Sequence, residues 1–277
     1  MRGTVAFALV WAACGGGSNS STDSAAMGTP APDPRFKWVG AFPSYTTSTE
    51  LVGGTGVGFG STTSVFGPAA IGSGGEAVVF DYAPATAVGP FSSGFEEITG
   101  TPSALAGSAV ATSFGFTGNE VVYTWQGMNA TTTMQMYSGG SAGDLMGSVQ
   151  TAAATGDVTT ALAFDGSERV MFAYADSSLS DTYDTTAQTG DVTTIGTMAQ
   201  AVASGGYVIT ALGQIDGSNY GVVGTKITGS AATHDAMVIT IAAGGDTTPL
   251  ATAQMQGYAI VGAYFTDPLT GMFVLER

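Results

Sequence analysis

Asp144-Leu145-Met146-Gly147-Ser148-Val149 has counterparts along the chain: Glu50 opens ELVGGT, Glu97 EITGTP, Asp191 DVTTIG and Asp246 DTTPLA. In chain order Glu50, Glu97, Asp144 and Asp191 lie 47 residues apart, and Asp246 follows after 55. A second landmark trails each acid by 23 to 28 residues: Glu76, Glu120, Glu168, Asn219 and Thr270. A period of about 40 to 50 residues marks arrays whose units cannot bury an apolar face alone, a group that includes propellers and solenoids.

Inside the units, apolar residues alternate with small polar ones, the period-two signature of half-buried strands. In the second unit the expected strands are Ser108 to Phe116, Val121 to Trp125, Thr131 to Tyr137 and Leu145 to Gln150. The third unit contributes Val158 to Phe164 and Arg169 to Tyr174, and the fourth Tyr207 to Ile215 and Tyr220 to Thr225. Asp165-Gly166-Ser167-Glu168 and Asp216-Gly217-Ser218-Asn219 separate these pairs, and Asp-Gly between apolar runs is a strong hairpin signal. The strand before each turn is built from Ala, Gly, Ser, Thr and Val, which suits the crowded axis of a radial array. The strand after it carries bulky tetrads, Val79-Phe80-Asp81-Tyr82, Val122-Tyr123-Thr124-Trp125 and Met171-Phe172-Ala173-Tyr174, expected to pack between sheets.

Four strands per unit around an axis make a β-propeller, and five acids count five blades. The last unit stops just after Met272 to Leu275, while Phe36 to Phe42 and the segment from Glu50 read as the two strands it lacks. The expected fold is therefore an all-β, five-bladed propeller of four-stranded blades, the last blade closed by N-terminal strands, which leaves no long edge exposed. A β-sandwich or β-solenoid is the alternative. A transmembrane barrel would share the alternation but not the 47-residue period. In blade count and strand pattern the chain resembles the five-bladed propellers of lectins and several glycosidase families; the resemblance extends to no motif.

Only 10% of the 277 residues are charged and the formal charge is −15 with six Lys plus Arg, so a polyanion is repelled and nucleic acid is excluded as a partner. Hydrophobic residues at 44% are enough for a sizeable core despite 42 glycines. Met1 and Arg2 precede a ten-residue apolar run, Thr4 to Ala13, which ends at Cys14, the single cysteine. About 20 apolar residues are needed to span a bilayer, so this run reads as an export signal over residues 1–13. Trp11-Ala12-Ala13-Cys14 resembles the lipobox of bacterial lipoproteins, with Trp11 where that family usually has Leu. The resemblance implies cleavage before Cys14 and its acylation as a membrane anchor, and Gly15 after it implies the outer membrane or cell surface. The alternatives are an ordinary cleaved signal, or a free thiol in a misassigned start region. Residues 14–34, rich in Gly and Ser and closing on Thr29-Pro30-Ala31-Pro32-Asp33-Pro34, read as a flexible tether. The folded domain is expected over 35–277.

Chemistry-bearing candidates are sparse. Gly139-Gly140-Ser141-Ala142-Gly143 matches the nucleophile-elbow pattern, but it lies in a Gly-Ser-rich turn with no helix expected after it, so catalysis is not assigned to Ser141. His234, the only histidine, cannot build a usual zinc site without cysteine partners. Glycoside hydrolysis needs two carboxyls about 5 to 9.5 Å apart; the expected inner strands are almost uncharged, with Asp157 at the mouth of one as the exception. The five repeated acids read as solvated strand starts that discourage edge pairing. Calcium held near them by carbonyls is a minority reading without a Ca-loop motif, so no cofactor is assigned. The loops from Ala83 to Ser93, Gln126 to Ala130, Ala175 to Thr182 and Ile227 to Asp235 share one expected face and hold Gln126, Asn129, Asp176, Asp181, His234 and Asp235, with Trp125 and Tyr174 at their bases. Aromatic platforms beside amides and carboxylates suit a glycan or protein ligand. The expectation is a surface-anchored lipoprotein whose propeller binds a ligand or serves as scaffold. The alternatives are a secreted carbohydrate-active hydrolase and an assembly subunit of a surface layer or filament.

Overall fold

The computed structural model describes residues 43–53, 59–61, 65–71, 76–84, 93–99, 109–117, 120–127, 132–139, 144–164, 166–176, 181–242, 246, 248–267 and 270–277. All fall within one compact unit, Ala31–Arg277. The first half is β1 (Pro43–Gly53), β2 (Phe59–Ser61), β3 (Val65–Ile71), β4 (Glu76–Pro84), β5 (Ser93–Thr99), β6 (Ala109–Thr117), β7 (Glu120–Gly127) and β8 (Thr132–Ser138). After it come α1 (Leu145–Ala154), β9 (Val158–Phe164), β10 (Arg169–Asp176), β11 (Tyr183–Asp191), α2 (Ile195–Ser204), β12 (Val208–Gln214) and β13 (Asn219–Ile227). The chain closes with β14 (Ala236–Ala242), α3 (Thr248–Met255), β15 (Ala259–Asp267) and β16 (Thr270–Glu276). The described part is mostly β, in small antiparallel sheets. None of its helices is long and apolar enough to cross a membrane.

The sheets are β1-β4-β3, β2-β5-β7-β6, β8-β10-β9, β11-β13-β12 and β14-β16-β15. Leaving β2 aside, each places its third strand in chain order between the other two. The Asp216 turn joins β12 to β13 as expected: the Asp216 carboxylate accepts from the Ser218 and Asn219 amides at 2.8 and 2.7 Å. Each second strand, the one before the hairpin turn, slips register against the third, opposite Phe172/Ala173 in β10, next to Thr210 in β12 and next to Val261 in β15, which slips again between Phe265 and Asp267. Such bulges bend the strand and raise its twist.

Three expectations are corrected here. Thr131 to Tyr137 does not belong with Val121 to Trp125: β8 pairs with β10, Met136 opposite Phe172, so the strand leading up to Asp144 belongs to the sheet that follows it. The segment from Glu50 does not complete the C-terminal unit. Glu50 pairs with Val79 of β4, and the last sheet draws all its strands from Ala236–Glu276. Phe36 to Phe42 lies outside the described residues. Finally, Leu145 to Gln150 is not a strand but the start of α1, and helices of the same kind follow Asp191 and Asp246.

The helices have a plain physical cause. Leu145, Val149 and Ala152 recur at intervals of four and three and are fully buried, as are Ile195, Ala199, Val202 and Ala203 in α2; this is the 3.6-residue period of an amphipathic helix. A six-residue window is too short to tell it from alternation. All three helices stop alike, at a glycine with positive φ: Gly156 (86°), Gly206 (79°) and Gly257 (88°). The next residue, Asp157, Tyr207 or Tyr258, donates its amide to the carbonyl five residues back, Ala152, Val202 or Ala253. That is the Schellman stop, which only glycine adopts at low cost. At the other end Asp191 and Asp246 accept amide bonds from Thr193 and Thr248, both at 2.9 Å. These two acids are therefore helix starts rather than strand starts.

Each of the first two helices joins two sheets. Leu145, Val149 and Ala152 pack with Leu162 and Met171 of their own sheet and with Ala211, Ile215 and Val223 in and beside the next. The α2 stripe does the same between Ile209 and Val222 on one side and Ala236, Val261 and Val274 on the other. Along the second strands, β6 lies beside β9, β9 beside β12, β12 beside β15, β15 beside β3 and β3 beside β6. The approach is close: a Cβ on Gly213 of β12 would stand 2.0 Å from the Leu162 carbonyl oxygen of β9. Met171, Phe172, Ala173 and Tyr174 on β10 are all buried, as expected of the bulky tetrad.

Candidate functional site

At one end of the sheets the third strands finish and the second strands begin, with Tyr174 opposite Val158, Thr225 opposite Val208 and Glu276 opposite Ala259. The helix exits and the connections to the next sheet gather there. The loop from Thr228 to Asp235 is described throughout. Its start is fixed by the Thr228 amide on the Thr182 carbonyl at 2.9 Å and the Thr228 hydroxyl on Asp184 at 3.0 Å. Its middle crosses the α2 exit, where the Ala232 carbonyl oxygen would lie 2.6 Å from a Cβ on Gly206.

Its far end is held by Asp235. The Asp235 and Arg277 backbones exchange two hydrogen bonds of 3.0 Å, extending the β14/β16 ladder by one pair. The Asp235 carboxylate accepts from the Tyr258 hydroxyl and meets the Arg277 guanidinium at 3.5 Å. Oriented to satisfy its partners, the Gln200 amide donates to the other carboxylate oxygen at 3.2 Å. Arg277 lies 4.6 Å from the Tyr258 ring centre and donates to the Gln256 carbonyl at 3.3 Å, at the C-terminal end of α3, where a cation is favoured. The Tyr258 hydroxyl first, then Gln200, Arg277 and the Ala236 amide, hold the Asp235 carboxyl below its ordinary range, and the same bond pushes Tyr258 up. The arrangement has a counterpart one sheet earlier: Asp184 pairs across the ladder with Lys226, whose ammonium stands 4.2 Å from the Tyr207 ring centre. Two of the six basic residues of the chain thus occupy matching places.

Other polar groups are buried at this end. Asp157 is 4% exposed and accepts from the Thr155 hydroxyl at 2.9 Å and Tyr137 at 3.4 Å. Glu276, 1% exposed on β16, reaches the neighbouring sheet and accepts the Ile209 amide at 3.0 Å. At the opposite end Arg169 is buried and donates to Ser148 at 2.7 Å; burial lowers its pKa while Asp144 opposes the shift. Among the described residues no three His, Cys, Asp or Glu side chains group around a common point.

The residues singled out in the sequence fare differently. Trp125 and Gln126 sit near the end of β7, opposite Ala111 and Val110, and Asp176 ends β10 opposite Thr132. Tyr174 has no exposed surface and is a core residue, so it offers no platform to an outside ligand. Asp181 is exposed just before β11, and His234 is half-buried beside Asp235. Asp235 converges with Gln200, Tyr258 and Arg277, none of which the sequence brought into view. Cys14, Asn129 and Ser141 lie outside the described residues. A helix does follow the Gly139 to Gly143 segment, contrary to expectation, but a strand-to-helix passage also follows β11 and β14, so it does not single out Ser141.

Comparison with known proteins adds no relative: no family model matches the chain, and no curated protein or solved structure resembles it significantly.

Proposed function

We propose that the chain is an exported lipoprotein, anchored through Cys14 at the outer membrane or cell surface, whose domain is a five-bladed propeller serving as a ligand-binding or scaffold module. The anchor rests on Trp11-Ala12-Ala13-Cys14 closing a short apolar run, with no second cysteine to pair with. The propeller reading rests on the closed circuit of neighbours among the second strands, β3 through β6, β9, β12 and β15 back to β3. A ring of this kind leaves one end of the sheets to connections whose residues are free to vary, and the loop 228–235 belongs to that end. The reading calls on no catalytic group. Growth with radiolabelled palmitate tests the anchor: label enters the wild type and not Cys14→Ala, and absence of label in the wild type overturns it. A glycan and peptide array probed with residues 34–277 tests the binding role.

One observation favours assembly with further copies as a second reading. Met237 and Ile239 of β14 line an open groove of about 370 Å³ with Pro249, Thr252 and Ala253 of α3, and the nearby Met255 is 82% exposed. Exposed apolar surface of this sort marks contact sites. Sedimentation of Met237→Lys against wild type tests it: a wild type that is already monomeric at high concentration removes the reading.

A further inference from the structure

We infer that the loop 228–235 is strapped to the domain at three points and that the strap at Asp235 is the releasable one. The inference rests on the reading of that end as ligand-facing only for its purpose, not for its test. The first strap, at Thr228, is a backbone bond on Thr182 plus a neutral hydroxyl on Asp184. The second is steric, the Ala232 carbonyl seated over Gly206, 2.6 Å from where a Cβ would stand. The third gathers Gln200 of α2, Tyr258 ahead of β15 and Arg277 after β16 on one carboxylate, beside the two backbone bonds between Asp235 and Arg277. It joins residues 35, 23 and 42 positions away in the chain, so its loss frees more than a local turn.

Two features make this strap the weak one. Asp235 and Arg277 are each about half exposed, and ion pairs so open to water hold loosely. The strand it secures, β14, is the outermost of its sheet and pairs with β16 alone among the described strands. Opening would therefore begin at Asp235, lift His234 with the end of the loop, and leave Thr228 to Ala232 in place. Asp184, Lys226 and Tyr207 occupy the corresponding positions one sheet earlier, at the entry of β11.

Amide hydrogen exchange read by mass spectrometry tests it on the wild type, Asp235→Ala and Tyr258→Phe, each first checked for an unchanged far-ultraviolet spectrum. In Asp235→Ala, exchange over 233–240 rises about tenfold while 226–231 and 208–214 stay at the wild-type rate, as a local opening requires. Tyr258→Phe, which keeps the ion pair, gives a smaller rise in the same segment. Equal rates in all three proteins would overturn the inference, and so would a rise spread evenly over 208–242. An Asp235→Ala that fails to fold shifts the test to Arg277→Gln, which must raise exchange over 233–240 alone. None of these readings depends on a ligand, so the strap and the binding role fail separately.

Discussion

Alanine at the three helix-stopping glycines should not cost the same. Gly156, Gly206 and Gly257 share positive φ, where a residue with a Cβ is disfavoured by about 1–2 kcal/mol. The stiffer unfolded chain returns about 0.4–1 kcal/mol of that. Gly156 and Gly257 have nothing within 4 Å of an added Cβ, so Gly156→Ala and Gly257→Ala should cost about 1 kcal/mol or less. Gly206 differs because the Ala232 carbonyl oxygen would lie 2.6 Å from the new methyl, closer than carbon and oxygen approach. Either the loop 228–235 lifts or the α2 exit shifts, and overpacking of this kind adds about 1–3 kcal/mol, for a total near 2–4 kcal/mol. Urea unfolding reads the difference as midpoint shifts at constant slope. A Gly206→Ala midpoint no lower than that of Gly156→Ala would refute the placement of the loop over the α2 exit.

Further expectations concern the helices and the acids. Leu145→Ala should cost about 2–5 kcal/mol as a fully buried truncation, whereas the exposed Gln150→Ala should stay within about 0.5 kcal/mol; denaturant midpoints separate the two, and equal costs would contradict the helix. Asp191→Ala and Asp246→Ala should each lower the midpoint by removing an acceptor for a helix-start amide, while Asp191→Asn recovers part of the loss. Thr193 and Thr248 hold these two carboxyls below their ordinary value of 3.8, and Asn219 and Ser218 do the same for Asp216. A lowered folded-state pKa gives stability that is present above the unfolded value and lost as pH falls through the folded one. Stability should therefore fall from about pH 4 downward, and a variant with all three aspartates changed to Asn should show a flatter acid limb in pH-dependent thermal melts.

The strand content was legible because alternation and the Asp-Gly-Ser turns are local signals: β9 with β10 and β12 with β13 lie where the residues placed them. The helices were not, because Leu145, Val149 and Ala152 show their period only over a full ten residues and Gly156 only as a stop. Strand grouping failed at β8, whose partner is chosen by contacts with β10 more than thirty residues on and not by its neighbours in sequence. The candidate site was half visible. His234 and Asp235 stand out in the sequence as non-repeated polar residues ending a loop, but the groups that occupy the Asp235 carboxylate come from three other segments. Tyr174 misled for the opposite reason: an aromatic residue at a strand end looks the same in sequence whether it faces water or the core.

The closed circuit of second strands is the claim on which the propeller reading stands. In a Cys14→Ala background, cysteine pairs placed one in β3 (Val65–Ile71) and one in β15 (Ala259–Asp267) measure it directly, with pairs placed one in β9 (Val158–Phe164) and one in β12 (Val208–Gln214), away from the crowded Gly213, as the internal control. Mild oxidation should give intramolecular disulfides in both sets, read as faster-migrating monomers on a non-reducing gel. Cross-linking of the control without any β3–β15 pair would contradict the ring.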